Sequence, residues 1–509
     1  MKEKSRTYNS ISNSIWGMAS ALISVILNFL VRVIIVRELG EEINGLHNLF
    51  QNTINVMALM ETSISSAMII HLYAPVKDND YDLIKKLISF YKKVYLVIAF
   101  TFLAVGIVVD ILFLEHIVST TISMKSVHIY FIFFSLSFFA NYLGYYKRSI
   151  LYASQNNRIS IISTTISQLV FRIFAIFSAI LTHNYLFFLL FLIGEKICSN
   201  VICNIYVNKQ YPYLKQTNDC ELDKEYKYNI FKTIKPLFIN QASSTVQNSA
   251  NSILISMLLG NISIVGYYGN YQLVIGAVQL LFSQIGSAFT SSFGNLATED
   301  NKEKMYLAYR KSCFVMNSLA FICCAGFVSC IQDFIYLVFG TNFVLSYKCV
   351  FILVVSMLIY LLNIPIISVQ NAMGLHSCDD KIMVLQAIIA ILLGYYGGLN
   401  YGMEGILLGL TLPTFVFSFI YKGFVVNKIA FEINGFTFFT DIGTDLLKGI
   451  IIIGIAFLVC YYVSFQNLFL TIVIKGCVSV IVSVLLIFFL NKNNSYFRDT
   501  LQMVINVFK

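Results

Sequence analysis

Long apolar runs dominate the chain and predict its architecture. Fourteen of them come close to or exceed the roughly 20 residues that an α-helix needs to cross a bilayer, and the connecting segments are short. The runs are 14–36, 45–72, 94–114, 126–146, 159–182, 184–207, 236–260, 268–293, 312–331, 344–373, 382–399, 403–426, 446–464 and 468–490. We therefore predict an all-α polytopic membrane protein with about 14 transmembrane helices.

Two of the predicted spans carry polar stripes. In span 1, four polar residues recur every four positions and so share one helix face; they are Ser20, Ser24, Asn28 and Arg32. Span 7 has a broader polar edge that includes Gln241, Asn248 and Asn251. A membrane helix with such a stripe faces protein or water on one side, so we expect spans 1 and 7 to line one central cavity.

Composition and charge support a membrane protein. Only 12% of the residues are charged and 58% are hydrophobic, whereas soluble domains average about 25% charged residues. If the N-terminus is cytoplasmic, most lysines and arginines fall on the cytoplasmic side, and the outer side keeps Arg37, Lys125 and Lys348. This asymmetry follows the positive-inside rule and predicts that both termini are cytoplasmic. The net charge of +9 then reflects topology and not nucleic-acid binding.

No catalytic or metal-binding pattern stands out. The eleven cysteines lack metal-ligand spacing, and the chain contains no phosphate-binding glycine loop, zinc-protease motif, nucleophile elbow or dinucleotide fingerprint. We therefore expect a transporter, not an enzyme, with no catalytic residue, metal or cofactor. Any work would be driven by an H⁺ or Na⁺ gradient, the membrane potential or the substrate gradient.

The chain contains an internal repeat. A Leu-Gly pair followed by a glycine occurs at Leu39-Gly40 with Gly45, and again at Leu259-Gly260 with Gly266. The second copy comes six spans later, and an even offset gives both halves the same orientation. We predict an N-lobe at 1–207 (spans 1–6), a cytoplasmic linker at 208–235, a C-lobe at 236–427 (spans 7–12), and a C-terminal helix pair with a basic tail at 428–509.

The clear cases of charge deep inside the predicted spans are five residues, all in the first half: Arg32, Glu61, Arg172, Glu195 and Lys196. Such charges cost about 2.5–3.5 kcal/mol each on insertion scales and usually mark a pathway or an ion pair. They could form a slightly cationic cavity wall that accepts an anion. Alternatively, they could pair structurally, for example Glu61 with Arg172 or Lys196.

Other positions near the span ends leave alternatives open. Glu195 and Lys196 are adjacent and point about 100° apart on a helix, so we expect that they do not pair. Arg37 and Glu38 would lie at the outer rim. Residues 81–93 form either an amphipathic surface helix or a simple extension of span 3.

Several motifs together resemble those of bacterial polysaccharide flippases. RELGEEINGLHNLF (37–50), METSISSAMIIHLYAP (60–75) and FYKKVY (90–95) look like the opening of that family, and YYKRSILYASQNNR (145–158), NSILIS (251–256), GYYGNY (266–271) and FGNLATED (293–300) continue the match. The family shares a superfamily with the multidrug and toxin extruders. The resemblance implies twelve core spans in two lobes, often with two extra spans.

The resemblance also implies a function. The family moves undecaprenyl-pyrophosphate-linked repeat units of capsule, O-antigen or similar glycans across the bacterial cytoplasmic membrane, alongside polymerases and glycosyltransferases. Cationic residues on span 1 of related flippases bind the pyrophosphate, and Arg32 occupies such a location by span position. Many relatives have an acidic residue where Asn251 stands here.

Two rival functions remain open. A cation-coupled multidrug exporter of the same fold would need an acidic site, for which Glu61 and Glu195 are the candidates. A non-transporting membrane scaffold for the glycan machinery would need no cavity charges.

Overall fold

The computed structural model describes residues 6–216, 222–297, 301–375, 380–432, 437–492 and 497–498, and they are almost entirely helical. The α-helices in these ranges are α1 Arg6–Ile34, α2 Glu41–Met57, α3 Leu59–Asp78, α4 Tyr81–Leu112, α5 Leu114–Ile117, α6 Met124–Tyr145, α7 Arg148–Ala153, α8 Asn157–Thr182, α9 Tyr185–Gln210, α10 Lys224–Leu259, α11 Ile262–Ala297, α12 Lys302–Phe339, α13 Tyr347–Met373, α14 Asp380–Pro413, α15 Lys422–Ala430, α16 Thr437–Tyr461 and α17 Leu468–Asn491. Short π-helical segments at Ile35–Leu39 and Thr414–Tyr421 extend α1 and join α14 to α15.

The prediction of an all-α polytopic membrane protein is confirmed. In the described part of the chain, eleven helices are long and apolar enough to cross a membrane, or twelve if α2 and α3, which are bent by 47° at their junction, form one span. This count is below the predicted fourteen for two reasons. The helix α10 is long, but its many polar residues make it less apolar than the candidate membrane helices. Residues 381–430 form one helical segment among the eleven, although they contain two predicted spans.

The segment 381–430 is folded back on itself at Gly402. This residue has a φ of 59° and a ψ of −138°, which interrupts the helix. Gly397 and Gly405 lie backbone against backbone, and Gly409 packs against Leu393 in the same way. Residues eight apart could not touch in a continuous helix, so the predicted spans 382–399 and 403–426 are two antiparallel arms. Small residues allow this close approach of helix backbones.

The chain forms two compact units, Met1–Gly269 and Asn270–Lys509, and the division falls within α11. In the first unit, α8 packs against α1 and α9, α6 packs against α9, and α10 packs against α2 and α3. In the second unit, α12 packs against α13, α16 and α17. The lobe boundaries inferred from the repeat remain a prediction.

The α16–α17 pair is bound to α12 through polar side chains. Lys475 on α17 donates to Asp333 at 2.7 Å, and Asn317 on α12 donates to Asp445 at 3.1 Å. The two C-terminal helices therefore form part of the second unit.

The residues 81–93 belong to one uninterrupted helix, α4, which runs from Tyr81 to Leu112. Asp80 caps its start by accepting the Leu83 backbone N–H at 3.0 Å. Leu87, Ile88 and Tyr91 are buried within the unit. The structure thus favours the extension of span 3 over a separate surface helix.

The repeat-related glycines Gly45 and Gly266 meet in the first unit. The position of a Cβ on Gly45 is occupied by the backbone oxygen of Ile262, and a Cβ on Gly266 would lie 3.0 Å from the Gly45 nitrogen. Each glycine therefore contacts the turn that carries the other. A reciprocal contact of this kind is what an approximate two-fold axis between equivalent segments would give.

Candidate functional site

The polar stripe of α1 faces α8, not lipid. The stripe makes three hydrogen bonds to α8: Thr165 to Ser20 at 2.6 Å, Ser24 to Gln168 at 2.9 Å, and Arg172 to Asn28. The opposite face of α1 carries apolar side chains that are 46–58% exposed, namely Met18, Leu22, Ile26 and Leu30. The α1 helix therefore turns its polar side toward protein and its apolar side toward the bilayer.

Arg32 ends the stripe and turns to α2. Its Nη1 donates to Asn44 Oδ1 at 2.7 Å, and its Nη2 donates to Asn48 Oδ1 at 3.3 Å. Arg32 has no carboxylate partner among the residues that the structure describes. The guanidinium is held by two neutral amides, so its positive charge is not cancelled by an ion pair.

The α2 helix carries an amide stripe that the sequence analysis missed. Its members are Asn44, Asn48, Gln51, Asn52 and Asn55. Asn48 donates to the Val265 carbonyl at 3.0 Å, and Asn52 donates to the Ser252 hydroxyl at 3.0 Å. The four-residue spacing of Asn44, Asn48 and Asn52 was the available signal, but the sequence analysis singled out only Glu61 as a candidate site residue in the run 45–72.

A second charged cluster joins α8 to α9. Arg172 Nε donates to Glu195 Oε2 at 3.0 Å, and Lys196 Nζ donates to Glu195 Oε1 at 3.0 Å. The Glu195 side chain is only 1% exposed. The expectation that Glu195 and Lys196 do not pair was wrong, because the 100° angle separates their Cβ directions only, and the long lysine chain bends back to the carboxylate. The cluster keeps one net positive charge.

Glu61 lies apart from this cluster. Its Oε1 accepts a hydrogen bond from the Tyr95 hydroxyl at 3.2 Å. No cation pairs with Glu61 in the described part of the chain. The pairing that we considered, with Arg172 or Lys196, is therefore not the one that the structure contains.

Arg148 is a buried cation that the sequence analysis had placed in a cytoplasmic segment. It begins α7, is 5% exposed, and lies 5.0 Å from the centre of the Tyr145 ring. Within the described residues, its guanidinium donates to four neutral oxygens, on Ser160 at 3.0 Å, Thr164 at 2.9 Å, Ser199 at 2.5 Å and Asn200 at 3.3 Å. Hydropathy did not reveal it, since these partners lie on other helices, α8 and α9, 12 to 52 residues further along the chain.

The remaining predicted site residues occupy different positions. Gln241 is exposed on α10. Asn251 has a buried Oδ1 without a hydrogen-bond partner in the described structure. The side chain of Asn248 lies outside the described residues. At the predicted outer rim, Arg37 is exposed, and Glu38 lies 3.3 Å from His183 Nδ1.

We define the polar ladder as Arg32, Arg148, Arg172, Glu195 and Lys196 with their bonded partners. Thr164, which binds Arg148, is eight residues from Arg172 on α8, so about 12 Å along the helix axis separates these two positions. The ladder offers guanidinium, amide and hydroxyl donors. Groups of this kind bind phosphate oxygens through charge-assisted hydrogen bonds and can also bind sugar hydroxyls.

Comparison with known proteins identifies relatives in sequence and in fold. The sequence profile described as "Polysaccharide biosynthesis protein" matches residues 10–293, which is more than half of the chain. No curated protein sequence matches the chain significantly.

Three solved structures share the fold. The lipid II flippase MurJ in an inward closed conformation has a TM-score of 0.69 and 15% identity, over 95% of this chain and 99% of that chain. An inward-facing multidrug resistance MATE family transporter of the MOP superfamily has a TM-score of 0.62 and 14% identity, over 80% and 97%. The Vibrio cholerae MATE transporter VcmN has a TM-score of 0.59 and 12% identity, over 85% and 99%. At these identities the likeness concerns the fold alone.

Proposed function

Because the chain belongs to the polysaccharide biosynthesis protein family, we propose that it is a flippase for lipid-linked oligosaccharides. Its cargo is an undecaprenyl-pyrophosphate-linked repeat unit of a capsule, O-antigen or exopolysaccharide. The protein moves this unit across the bacterial cytoplasmic membrane by alternating access, with both of its own termini in the cytoplasm. Polymerases and glycosyltransferases are the expected neighbours in the pathway.

One observation carries the proposal: Arg32 is a cation held by the amides of Asn44 and Asn48 and by no carboxylate among the described residues. A paired arginine has little charge left for a ligand, whereas Arg32 can exchange an amide for a phosphate oxygen. A charge-assisted bond to phosphate is roughly twice as strong as a neutral hydrogen bond. Arg32 therefore serves as the pyrophosphate ligand, and the amides of α2 hold it ready.

The physical requirements of the cargo fit the polar ladder. Pyrophosphate and sugars cannot enter hydrocarbon without large transfer costs, so the head group needs a polar surface while its polyprenyl tail stays in lipid. Outward movement of an anion also runs with an inside-negative potential, which contributes about 2.3 kcal/mol per charge per 100 mV.

The test is the loss of export when Arg32 loses its charge. In a deletion strain complemented with Arg32→Gln, lipid-linked intermediates should accumulate and surface polysaccharide should fall at least tenfold, while the protein reaches the membrane at normal levels. Arg32→Lys should retain part of the export, since it keeps the charge. Lys348→Gln, at an exposed position, is the matched control and should export normally. Normal export by Arg32→Gln would refute the role of this residue.

The same strains separate the rival functions. Drug resistance on overexpression, combined with normal surface glycan in the deletion strain, would establish a multidrug exporter instead. A scaffold would show loss of glycan in the deletion strain but full export in every charge variant that reaches the membrane.

For ion coupling we propose Glu61, because its carboxylate is bonded to the Tyr95 hydroxyl and not to a cation in the described residues. Such a carboxylate can take up H⁺ or Na⁺ without breaking an ion pair. In vesicles, transport by the native protein should fall when the coupling gradient is collapsed, and transport by Glu61→Gln should be low and insensitive to it. Glu115→Gln, whose side chain is 63% exposed, should behave like the native protein. A gradient-sensitive Glu61→Gln variant would rule Glu61 out.

A further inference from the structure

A cavity of about 260 Å³ lies in the first unit, away from the polar ladder. It is formed by α4, the turn between α6 and α7, α9, and the short helical turn at Pro212–Gln216. The polar side chains that line it are Ser89, Lys92, Tyr146, Lys147 and Asn208. Its volume is many times the roughly 10–15 Å³ that a single water molecule needs, so it can hold a hydrated anionic group.

The charge in this cavity is positive and uncompensated. The lining contains Lys92 and Lys147 but no acidic residue, and neither lysine has a carboxylate partner in the described structure. Lys147 Nζ donates to Asn208 Oδ1 at 2.7 Å and lies 5.8 Å from the centre of the Tyr146 ring. Burial and the nearby positive charge of Lys92 lower the pKa of Lys147. Two like charges in one cavity repel each other, and a bound anion would remove that repulsion.

The polar side chains that line the cavity are all of types that can donate hydrogen bonds to a phosphate group. Lysine ammonium groups bind phosphate as point charges, and the Ser89 and Tyr146 hydroxyls and the Asn208 amide can donate further hydrogen bonds. The cavity lies between segments that the positive-inside rule places on the cytoplasmic side, where anionic lipids attract basic residues at about 1 kcal/mol per lysine or arginine. FYKKVY and YYKRSIL supply the two lysines, so both motifs gain a role here.

We propose that this cavity binds a phosphate group through Lys92 and Lys147, supplied either by the headgroup of an anionic lipid or by dissolved phosphate. The site is separate from Arg32 and does not depend on the cargo. Binding joins α4 to the turn between α6 and α7 through the phosphate, so occupancy stabilises the cytoplasmic end of the first unit.

The test compares two phosphate sources on the full-length protein in nanodiscs. In the first arm the bilayer is pure phosphatidylcholine, and inorganic phosphate is titrated at constant ionic strength. In the second arm phosphatidylglycerol replaces increasing fractions of phosphatidylcholine without added phosphate. The measured quantity is the unfolding temperature, which rises when a ligand binds the folded state only.

Three variants decide the outcome. Lys92→Gln combined with Lys147→Gln should shift the half-saturating phosphate or phosphatidylglycerol level at least tenfold upward. Lys85→Gln combined with Lys86→Gln removes the same charge from α4 outside the cavity lining and should respond like the native protein. The ligand-free unfolding temperature of each variant verifies that it folds.

The response of the native protein identifies the source. Stabilisation by inorganic phosphate in phosphatidylcholine means a dissolved ligand, and stabilisation by phosphatidylglycerol alone means a lipid headgroup. If neither source stabilises the native protein, or if both double variants respond equally, the proposed site does not exist.

Discussion

The Glu195 carboxylate pairs with two cations at once, so replacing it with glutamine should destabilise the first unit more than any change at either cation. Arg172 and Lys196 each donate to it at 3.0 Å, and Glu195 is 1% exposed, against 14% for Arg172 and 27% for Lys196. Removing one partner of a buried ion pair costs about 3–5 kcal/mol. Because both cations retain some exposure and the glutamine carbonyl still accepts one bond, we expect about 2–3 kcal/mol for Glu195→Gln.

The structure also predicts an asymmetry between the partners. Arg172→Gln leaves Glu195 paired with Lys196, so its cost should be smaller, about 1–2 kcal/mol. The double variant Arg172→Gln/Glu195→Gln leaves no unpaired arginine and should be more stable than Glu195→Gln alone. This positive coupling is the signature of a direct pair, since independent sites would add.

Thermal unfolding in detergent, followed with a thiol-reactive fluorophore, provides the measurement. Buried cysteines such as Cys203, Cys313 and Cys324 become reactive only on unfolding. Asp82→Asn is the control, because its carboxylate is 90% exposed and lies 3.6 Å from Lys85, and exposed pairs contribute little. The reasoning fails if Arg172→Gln lowers the unfolding temperature as much as Glu195→Gln, or if the double variant is the least stable of the three.

Three other predictions concern packing and topology. Gly45→Ala should lower the unfolding temperature and the amount of protein in the membrane, because the new Cβ would overlap the backbone oxygen of Ile262. Gly276→Ala has open space around its Cβ and should be neutral. Equal effects of the two variants would contradict the close contact. Lys475→Met should loosen α17 and make it sensitive to protease, because Asp333 is left without its cation. Adding Asp333→Leu should restore resistance to the protease, because the unpaired carboxylate is then gone. A double variant as sensitive as the single one would argue against the pair. In a cysteine-free background, Glu115→Cys should react with an impermeant maleimide in intact cells, and labelling only after permeabilisation would invert the predicted topology.

The sequence was informative wherever a local pattern decides the structure. The length of apolar runs predicted nearly every long helix, since a membrane span must satisfy its own backbone hydrogen bonds. Periodicity placed Asn28 and Arg32 on one face of α1. It did not say which helix that face would meet, because Gln168 and Arg172 lie some 144 residues further along.

Arg148 and Lys196 show where such reasoning fails. Arg148 follows the end of an apolar run, so hydropathy alone treats it as a loop residue, yet four neutral oxygens on α8 and α9 solvate it. The pairing of Lys196 with Glu195 was missed because the angle of about 100° between Cβ directions was applied to a side chain with four methylene groups. In both cases the deciding quantity was the reach of a long cationic side chain, which spacing along the chain does not encode.

The hydrogen bonds between α1 and α8 also constrain the order of events during synthesis. Ser20 and its partner Thr165 are 145 residues apart, and a ribosome that adds about 5–20 residues per second needs roughly 7–30 s to make the second after the first. During that interval the Ser20 and Ser24 hydroxyls and the Asn28 amide have emerged, but their partners on α8 have not. Newly made α1 must therefore stay against the translocon, an insertase or water until α8 arrives. Variants that weaken this stripe should therefore increase the degradation of nascent chains.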